Sequence, residues 1–211
     1  MPLLSELDYG ALLAYSPRGR TEPSRRSRDV CYKLKAGDPG ILQLSALRLS
    51  EHIQAGGTLA GFFRGDVTLV PMPRSAPLVA GALWPSHKIC ELIVQAKFAA
   101  RTVPVLERVT AVPKSAHAQP GGRPSVSAHY DSMRVNRQID VGARILIVDD
   151  VVTKGNTAIA AASRVSEMYP QAEIKLFAVI RTKGMIPDIE QILEPVIGTI
   201  QLLNDEGLRN P

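Results

Sequence analysis

Residues 145–157 of the chain, ILIVDDVVTKGNT, decide the fold, because four apolar residues run without interruption into two acids. An unbroken apolar run of this kind predicts a strand that is buried on both faces, as in a parallel sheet. An alanine-rich helix is predicted over residues 157–168 and a second apolar strand over residues 174–180. Strand, helix and strand form a βαβ unit, so the sequence predicts an α/β fold with a central, mainly parallel sheet flanked by helices.

Polar side chains suited to ligand binding follow directly on the first of these strands. Asp149 and Asp150 offer acceptors for sugar hydroxyls at the carboxyl edge of the sheet, where ligands bind in open α/β folds. The next loop leads into a helix, and the free N–H groups and positive dipole end of a helix N-terminus favour phosphate. Gly155 lets the backbone approach a ligand closely, and Lys154 adds positive charge. Acceptors for hydroxyls followed closely by donors for phosphate suit a ribose 5-phosphate.

Two other nucleotide-binding patterns are absent from the sequence, which has no G-x-G-x-x-G for a dinucleotide and no G-x-x-x-x-G-K-[ST] for a nucleoside triphosphate. The plain alternative is a polar strand end followed by an ordinary turn and helix cap. That alternative stays open on the residues alone.

The thirteen residues resemble the phosphoribosyl-pyrophosphate motif of type I phosphoribosyltransferases, in which four apolar residues, two acids and two further apolar residues precede a T-x-G-x-T-like loop. The resemblance implies that Asp149 and Asp150 are catalytic residues that hold the ribose 2- and 3-hydroxyls, and that residues 153–157 hold the 5-phosphate. It also implies Mg²⁺, bound mainly through oxygen atoms of the substrate, with the two acids as candidate protein ligands. The implied substrate-binding residues of this segment are Val151, Thr153, Lys154, Gly155, Asn156 and Thr157.

A second segment matches the same family in its order along the chain. Residues 67–70 form a short apolar run that predicts a strand, and it leads into the loop VPMPRS at residues 70–75. These enzymes carry the loop that receives pyrophosphate at this point. The resemblance implies Arg74 as a catalytic cation, with Pro73 and Ser75 in contact with substrate. A proline-rich turn that carries a solvated arginine is the alternative.

Residues 113–132 show little periodicity and contain several Pro, Gly and Ser residues, and a loop of this length is usually functional or mobile. The segment lies where the family has a flexible lid. The resemblance implies Lys114 and Arg123 as catalytic cations that close over pyrophosphate and exclude water. His117 and His129 are further candidate cations of the segment. An ordinary surface loop is the alternative.

Within this family, the chain resembles the competence-associated ComF-type proteins over about residues 30–180. The segment VCYKLKAGD at residues 30–38 resembles their early lysine-glycine segment, whereas the N-terminal zinc-ribbon cysteines of many members are absent. In this fold the chain ends normally build the acceptor pocket. We therefore expect one domain over residues 1–211, with a small cap from residues 1–40 and 181–211.

The remaining segments predict a few further elements. Helices are predicted over residues 41–54 and from Pro85 onward, and residues 103–112 are strand-like. In the tail we expect a short helix at residues 188–193 and an edge strand or cap from residues 196–203.

Positive charge is concentrated near the start of the chain. The net charge is +5, and residues 18–35 hold seven bases and two acids, so this segment alone gives 7 − 2 = +5. Residues 16–28, SPRGRTEPSRRSR, predict a surface loop because they lack an apolar period. Five arginines of this loop are candidates for nucleic-acid contacts, although a solvated loop is the simpler interpretation: Arg18, Arg20, Arg25, Arg26 and Arg28.

Cysteine usage and hydropathy favour a cytoplasmic protein. Cys31 and Cys90 are far apart and no C-x-x-C pair is present, so we expect two small buried residues rather than a disulfide or a zinc site. No run approaches the roughly 18 apolar residues of a membrane span, and residues 1–20 show no signal-peptide pattern. We expect no membrane partner. The oligomeric state stays open, a homodimer included.

Two functions of different classes follow from the resemblance. An enzyme would transfer phosphoribosyl from phosphoribosyl pyrophosphate to a nitrogenous acceptor and release pyrophosphate, through positioning and charge stabilisation. A non-catalytic module would bind the same ribose phosphate and act in nucleic-acid handling or regulation, because a fold does not fix a function. The motif favours the enzyme, and its acceptor stays open.

Overall fold

The computed structural model of the chain describes residues 3–113, 124–138, 141–184 and 186–211. The strands are β1 (Glu6–Tyr15), β2 (Thr68–Pro71), β3 (Arg101–Thr102), β4 (Leu106–Arg108), β5 (Met133–Val135), β6 (Arg144–Val152), β7 (Glu173–Thr182), β8 (Leu193–Leu203) and β9 (Glu206–Asn210). The helices are α1 (Glu22–Lys35), α2 (Pro39–Gln54), α3 (Pro85–Gln95), α4 (Val126–Asp131) and α5 (Asn156–Met168), and a 3₁₀-helix covers Thr58–Phe62.

Within the described residues, seven strands form one sheet in the order β3-β2-β6-β7-β1-β8-β9. Neighbours from β3 to β1 pair in parallel, whereas β8 and β9 join antiparallel. A separate antiparallel ribbon pairs β4 with β5. The predicted α/β fold with a central, mainly parallel sheet is confirmed.

The predicted βαβ unit corresponds to β6, α5 and β7. β6 extends beyond the apolar run and includes both acids, since Asp149 lies in register with Ala178 of β7. α5 buries its alanines and Ile159 against the sheet. The unit therefore places the two acids at the end of a central strand, one loop before a helix N-terminus.

Helices cover both faces of the sheet, which explains the unbroken apolar runs of its central strands. On one face α5 packs over Ile147 and Leu176. On the other face α1, α2 and α3 pack over Leu146 and Phe177. Each such buried side chain contributes about 1.5–3 kcal/mol of transfer free energy.

The prediction of a surface loop over residues 16–28 is wrong in its second half, because α1 begins at Glu22. Thr21 caps the helix by accepting a hydrogen bond from the Ser24 N–H. The buried face of α1 includes Ser24 and Ser27 as well as apolar residues. Ser27 satisfies its hydroxyl by donating to the Ser24 carbonyl at 2.7 Å. Because serines occupy buried positions, the segment shows no apolar period although it is helical.

Both chain ends add strands to the central sheet, and residues 196–203, expected as an edge strand or a cap, lie in β8 beside the edge strand. β1 lies inside the sheet between β7 and β8, and β9 forms its edge. The helix predicted at residues 188–193 is absent from the described structure there. Asp188 instead accepts hydrogen bonds from the Arg20 and Thr21 N–H groups at 2.6 and 2.9 Å. The segments after β1 and β7 are thus tied to each other at the carboxyl edge of the sheet.

Of the strand-like residues 103–112, only Leu106–Arg108 form a strand, β4, and β3 ends just before this stretch at Thr102. Pro104 lies between the two strands, where it cannot donate a ladder hydrogen bond. Within the predicted loop 113–132, residues 126–131 form the helix α4, capped by Ser125. That part of the loop prediction is wrong, because a helix of six residues is too short to show a clear period.

Other predictions agree with the structure. The helices expected over residues 41–54 and from Pro85 correspond to α2 and α3. Cys31 and Cys90 are both buried and free, as expected. Among the described residues, no helix combines the length and the apolar character needed to cross a bilayer.

Candidate functional site

The candidate site lies where the parallel strands β2, β6 and β7 end. Pro71 of β2 pairs with Val148 of β6, and the Met72 N–H donates to the Val148 carbonyl at 2.8 Å. The loop of residues 72–75 therefore begins directly beside Asp149. The loop at residues 70–75 and the motif at residues 145–157, which are far apart in the sequence, therefore lie side by side in the structure.

Asp149 and Asp150 leave β6 on opposite faces of the sheet, because successive strand side chains alternate. Asp149 follows the row of Ile147 toward α5, and Asp150 follows the row of Val148 toward α1. Each carboxylate accepts a hydrogen bond from the N–H of the next residue, Asp150 and Val151 respectively, at 2.8 Å. The two acids therefore share one strand end and face different surroundings.

Asp149 is held in an environment that disfavours its charge. Burial raises the pKa of its carboxyl group well above the ordinary value, and the negative charge of Asp150 raises it further. The Lys35 ammonium, in the last turn of α1, opposes this effect. A partly buried carboxyl group with a raised pKa at a strand end is typical of a functional site.

Gly155 shapes the loop between β6 and α5. Its φ of 105° lies in the left-handed region, and a Cβ atom there would overlap the Ile200 side chain of β8. Gly155 is also the N-cap of α5, so this cap has no side chain to occupy the N–H groups of the first turn. The N–H groups of Asn156, Thr157 and Ala158 have no partner within the helix. They leave an open helix N-terminus for an anion.

A pocket joins these features. Its lining residues run continuously along the end of β6, the loop and the first turn of α5: Asp149, Val151, Val152, Thr153, Lys154, Gly155, Asn156, Thr157 and Ala158. Six predicted substrate-binding residues of this segment and the predicted catalytic Asp149 thus line one pocket. Asp150, on the opposite face of β6, is not part of that lining.

The C-terminal hairpin of β8 and β9 engages several side chains of the loop. The Lys154 ammonium lies 2.6 Å from a Glu206 carboxylate oxygen, and both residues are exposed. The buried Asn156 accepts from the Gly207 N–H at 2.8 Å and donates to the Pro124 carbonyl at 2.9 Å. Asn156 therefore positions the backbone around the pocket. The oxygen and the nitrogen of its side-chain amide both form hydrogen bonds within the protein.

Two further hairpin contacts fix the loop backbone. The Arg209 guanidinium donates to the Thr153 carbonyl at 2.8 Å. Gly207 approaches so closely that a Cβ atom would lie 2.9 Å from the Gly155 carbonyl carbon. The sequence carries no local signal for these contacts, because residues about fifty positions apart make them.

His129 does not act as the exposed lid cation that the sequence suggested. It lies in α4 with 3% of its surface exposed, and its Nε2 atom is 3.2 Å from the Thr157 hydroxyl. Burial, together with the nearby Arg108 charge, lowers the pKa of the imidazole to about 4, so the ring is neutral at neutral pH. The other three cations of that segment, Lys114, His117 and Arg123, lie outside the described residues.

Arg74, the predicted pyrophosphate-binding cation, is exposed in the loop after β2. Its carbonyl accepts a hydrogen bond from the Arg108 guanidinium at 3.0 Å. Pro73 beside it is buried, and the Ser75 carbonyl accepts from the Val112 N–H at 2.8 Å. The loop backbone is thus held from two sides while the Arg74 side chain reaches solvent.

Arg108 is a site residue that the sequence reasoning missed. It is 2% exposed, and its guanidinium also donates to the His129 carbonyl and the Ser132 hydroxyl. Burial lowers the pKa of Arg108 to about 10, and the charge of Asp149 opposes that shift, so Arg108 stays protonated at neutral pH. In β4 the alternation of strand side chains buries Leu106 and Arg108 on either side of a less buried Glu107, and the residues LER alone do not mark Arg108 as the inward-facing charge.

The basic segment near the N-terminus is largely occupied with its own chain. Arg28 donates to the Ser16 and Gly19 carbonyls, and Arg25 donates to the Arg20 carbonyl. Arg26 lies 3.7 Å from Glu22 in an exposed i,i+4 pair. Arg18 and Arg20 are exposed at the carboxyl edge of the sheet. Arg25 and Arg26 are exposed as well, and a nucleic-acid contact through this segment stays a prediction.

The carboxylates of the site could bind Mg²⁺ only together with oxygen atoms of a bound substrate and of water. Over the described ranges, no group of three or more His, Cys, Asp and Glu side chains is placed to hold a metal ion. Asp149 and Asp150 supply hard oxygen donors from one strand end, and Mg²⁺ commonly takes one or two carboxylates plus phosphate oxygens and water.

Comparison with known proteins adds no family to this geometry. No protein-family model matches the chain. No curated protein sequence matches it significantly. A functional assignment therefore depends on the residues and the geometry of the site.

Proposed function

We propose that the chain is a phosphoribosyltransferase-like enzyme that binds phosphoribosyl pyrophosphate and transfers its phosphoribosyl group to a nitrogenous acceptor. The observation that best supports the proposal is a single pocket whose lining joins the strand-end carboxyl group of Asp149 to the open N-terminus of α5. The carboxyl group supplies acceptors for ribose hydroxyls, and the helix terminus supplies N–H donors for the 5-phosphate.

The loop conformation supports the phosphate part of the assignment. A glycine N-cap at φ 105° leaves the first-turn N–H groups without a side-chain partner. The hydroxyls of Thr153 and Thr157 line the same pocket and add donors. Lys154 adds a cation at the rim, although its pairing with Glu206 reduces the charge that it offers.

Cations around the strand end support the pyrophosphate part. The exposed Arg74 lies in the loop after β2, and that loop begins beside the end of β6. Lys35 lies near enough to stabilise the charged form of Asp149. The buried Arg108 carries a further positive charge behind the loop and fixes the Arg74 backbone. An anionic leaving group is favoured where several cations converge on one edge.

In the proposed reaction, the bond between ribose C1 and the pyrophosphate oxygen breaks, and a bond forms between C1 and the acceptor nitrogen. Pyrophosphate leaves with the electron pair, and the acceptor nitrogen gives its proton to water. The protein contributes orientation of the ribose by the acids and charge stabilisation of the departing pyrophosphate by Arg74. Bound Mg²⁺ would neutralise pyrophosphate charge, held mainly by substrate oxygen atoms, with the pocket-lining Asp149 as a candidate protein ligand.

Release of pyrophosphate on addition of purine or pyrimidine bases tests the proposal. The wild-type chain is expected to release pyrophosphate in a base-dependent way in the presence of Mg²⁺. The double variant Asp149→Asn with Asp150→Asn is expected to release none, while its circular dichroism spectrum stays that of the wild type. Base-dependent release that survives in this variant would contradict the assignment of the two acids.

A matched control replaces two other aspartates, which lie at the opposite edge of the sheet. Asp8 and Asp66 are exposed acids near the amino ends of the parallel strands, where they interact with Lys175 and Arg144. The variant Asp8→Asn with Asp66→Asn should retain full pyrophosphate release. Ligand binding by the wild type without turnover on any base would instead favour the binding module.

A further inference from the structure

His129 and Thr157 form a buried pair at the N-terminus of α5. The His129 Nε2 atom lies 3.2 Å from the Thr157 hydroxyl oxygen, and Thr157 lines the pocket. The His129 Nδ1 atom is buried and has no hydrogen-bond partner among the described residues. Among the described residues, the one hydrogen-bond partner of the ring is therefore Thr157, a residue of the candidate phosphate site.

The direction of this hydrogen bond decides what the Thr157 hydroxyl can do. If Nε2 carries the proton, it donates to Thr157 and leaves the hydroxyl proton free for a third group. If Nδ1 carries the proton, the Thr157 hydroxyl must donate its own proton to Nε2. It then has only lone pairs to offer to an anion, which it cannot bind. The second arrangement also leaves a buried N–H donor unpaired at Nδ1, and orphaned buried N–H groups are rare.

The surroundings keep the ring in a neutral form, in which one nitrogen donates and the other does not. The Arg108 guanidinium donates to the His129 carbonyl at 3.4 Å, which brings a buried positive charge close to the ring. A cation at this position disfavours a second proton on the imidazole. The choice between the two neutral tautomers therefore fixes the role of Thr157.

We propose that His129 is a positioning residue that donates its Nε2–H to the Thr157 hydroxyl, so that Thr157 presents its own proton to the phosphate group of a ligand bound at the α5 N-terminus. The inference rests on the proposed function, because it assigns the phosphate to that site. It adds a residue from α4 to a phosphate site built otherwise from β6, the loop and α5.

Binding of ribose 5-phosphate, measured by calorimetry, tests this role through a double-mutant cycle. His129→Met removes the donor while filling much of the same volume, and Thr157→Val removes the hydroxyl at nearly constant shape. Each single variant is expected to weaken binding about tenfold, the effect of losing one hydrogen bond to a charged group. The double variant should bind no more weakly than Thr157→Val, and His129→Gln, which keeps an N–H donor, should restore most of the affinity.

Effects of the two substitutions that add independently, or full affinity in His129→Met, would overturn the inference. Absence of ribose 5-phosphate binding by the wild type would instead refute the proposed function. The imidazole tautomer of the wild-type chain gives a test that needs no variant. Long-range ¹H–¹⁵N NMR spectra should show the His129 proton on Nε2, and a proton on Nδ1 would overturn the inference directly.

Discussion

Asp149 ends a buried strand with a carboxyl group that the fold desolvates and that Asp150 crowds. Such a group weakens the folded state, because its charged form is better solvated in the unfolded chain. Because Asp149 lines a pocket with an open helix terminus, its carboxyl group can accept hydrogen bonds from a bound ligand. At the scale of residues, the feature that points most clearly to function is therefore a carboxyl group whose burial destabilises the folded state.

Asp149→Asn is expected to stabilise the folded chain at neutral pH by about 1 kcal/mol, while it removes ligand binding. The pKa of Asp149 is raised above its ordinary value of 3.8, so its ionisation destabilises the folded state. The penalty is absent below that ordinary value and grows as the pH rises toward the raised pKa. Urea denaturation should therefore show a larger gain in the free energy of unfolding at pH 7 than at pH 4. A variant less stable than the wild type at pH 7 would contradict this account.

Gly155→Ala is expected to lower the free energy of unfolding by about 1–3 kcal/mol, because the residue adopts a left-handed φ and its Cβ would overlap Ile200. The same strain should displace the loop and abolish ribose 5-phosphate binding. Gly61→Ala is the matched control, since a Cβ there meets no atom within 4 Å. Thermal unfolding of both variants checks the difference, and equal stabilities would show that the loop tolerates a side chain.

At the scale of elements, the hairpin of β8 and β9 supports the loop between β6 and α5. Arg209 binds the Thr153 carbonyl, and the Gly207 N–H binds Asn156. The hairpin turn also holds α4, because Asp205 accepts from the Ser127 N–H at 2.8 Å. One C-terminal element thus positions both the phosphate loop and the helix that carries His129.

Gly207→Ala should therefore weaken ribose 5-phosphate binding roughly tenfold, although residue 207 is remote in sequence from the motif. A Cβ at this position would lie 2.9 Å from the Gly155 carbonyl carbon and 3.0 Å from the Asn156 nitrogen, so backbone atoms must shift. Gly65→Ala, where a Cβ meets nothing within 4 Å, serves as the control in the same calorimetric titration. Unchanged affinity in Gly207→Ala would mean that the hairpin does not set the loop geometry.

At the scale of the whole molecule, the sequence predicts the elements whose periodicity is clear. The run at residues 145–148 identifies β6 because its residues are buried on both faces, and α2, α3 and α5 show helical spacing. The start of α1 is hidden by Ser24 and Ser27, which are buried through hydrogen bonds rather than through apolar surface.

Partners that are remote along the chain account for the remaining differences. The position of β1 inside the sheet depends on pairing with β7 and β8, which local patterns do not encode. The role of Asn156 likewise depends on Gly207 and Pro124. The motif predicts where a ligand would bind, whereas the support of that site comes from the rest of the fold.

The central claim is that the end of β6 and the following loop bind the ribose 5-phosphate part of phosphoribosyl pyrophosphate. Calorimetric titration of the wild-type chain with phosphoribosyl pyrophosphate, with and without Mg²⁺, tests it most directly, beside the variant Asp149→Asn with Asp150→Asn. We predict saturable binding to the wild type that strengthens with Mg²⁺ and is lost in the variant. No binding under either condition, or equal binding by the variant, would contradict the claim.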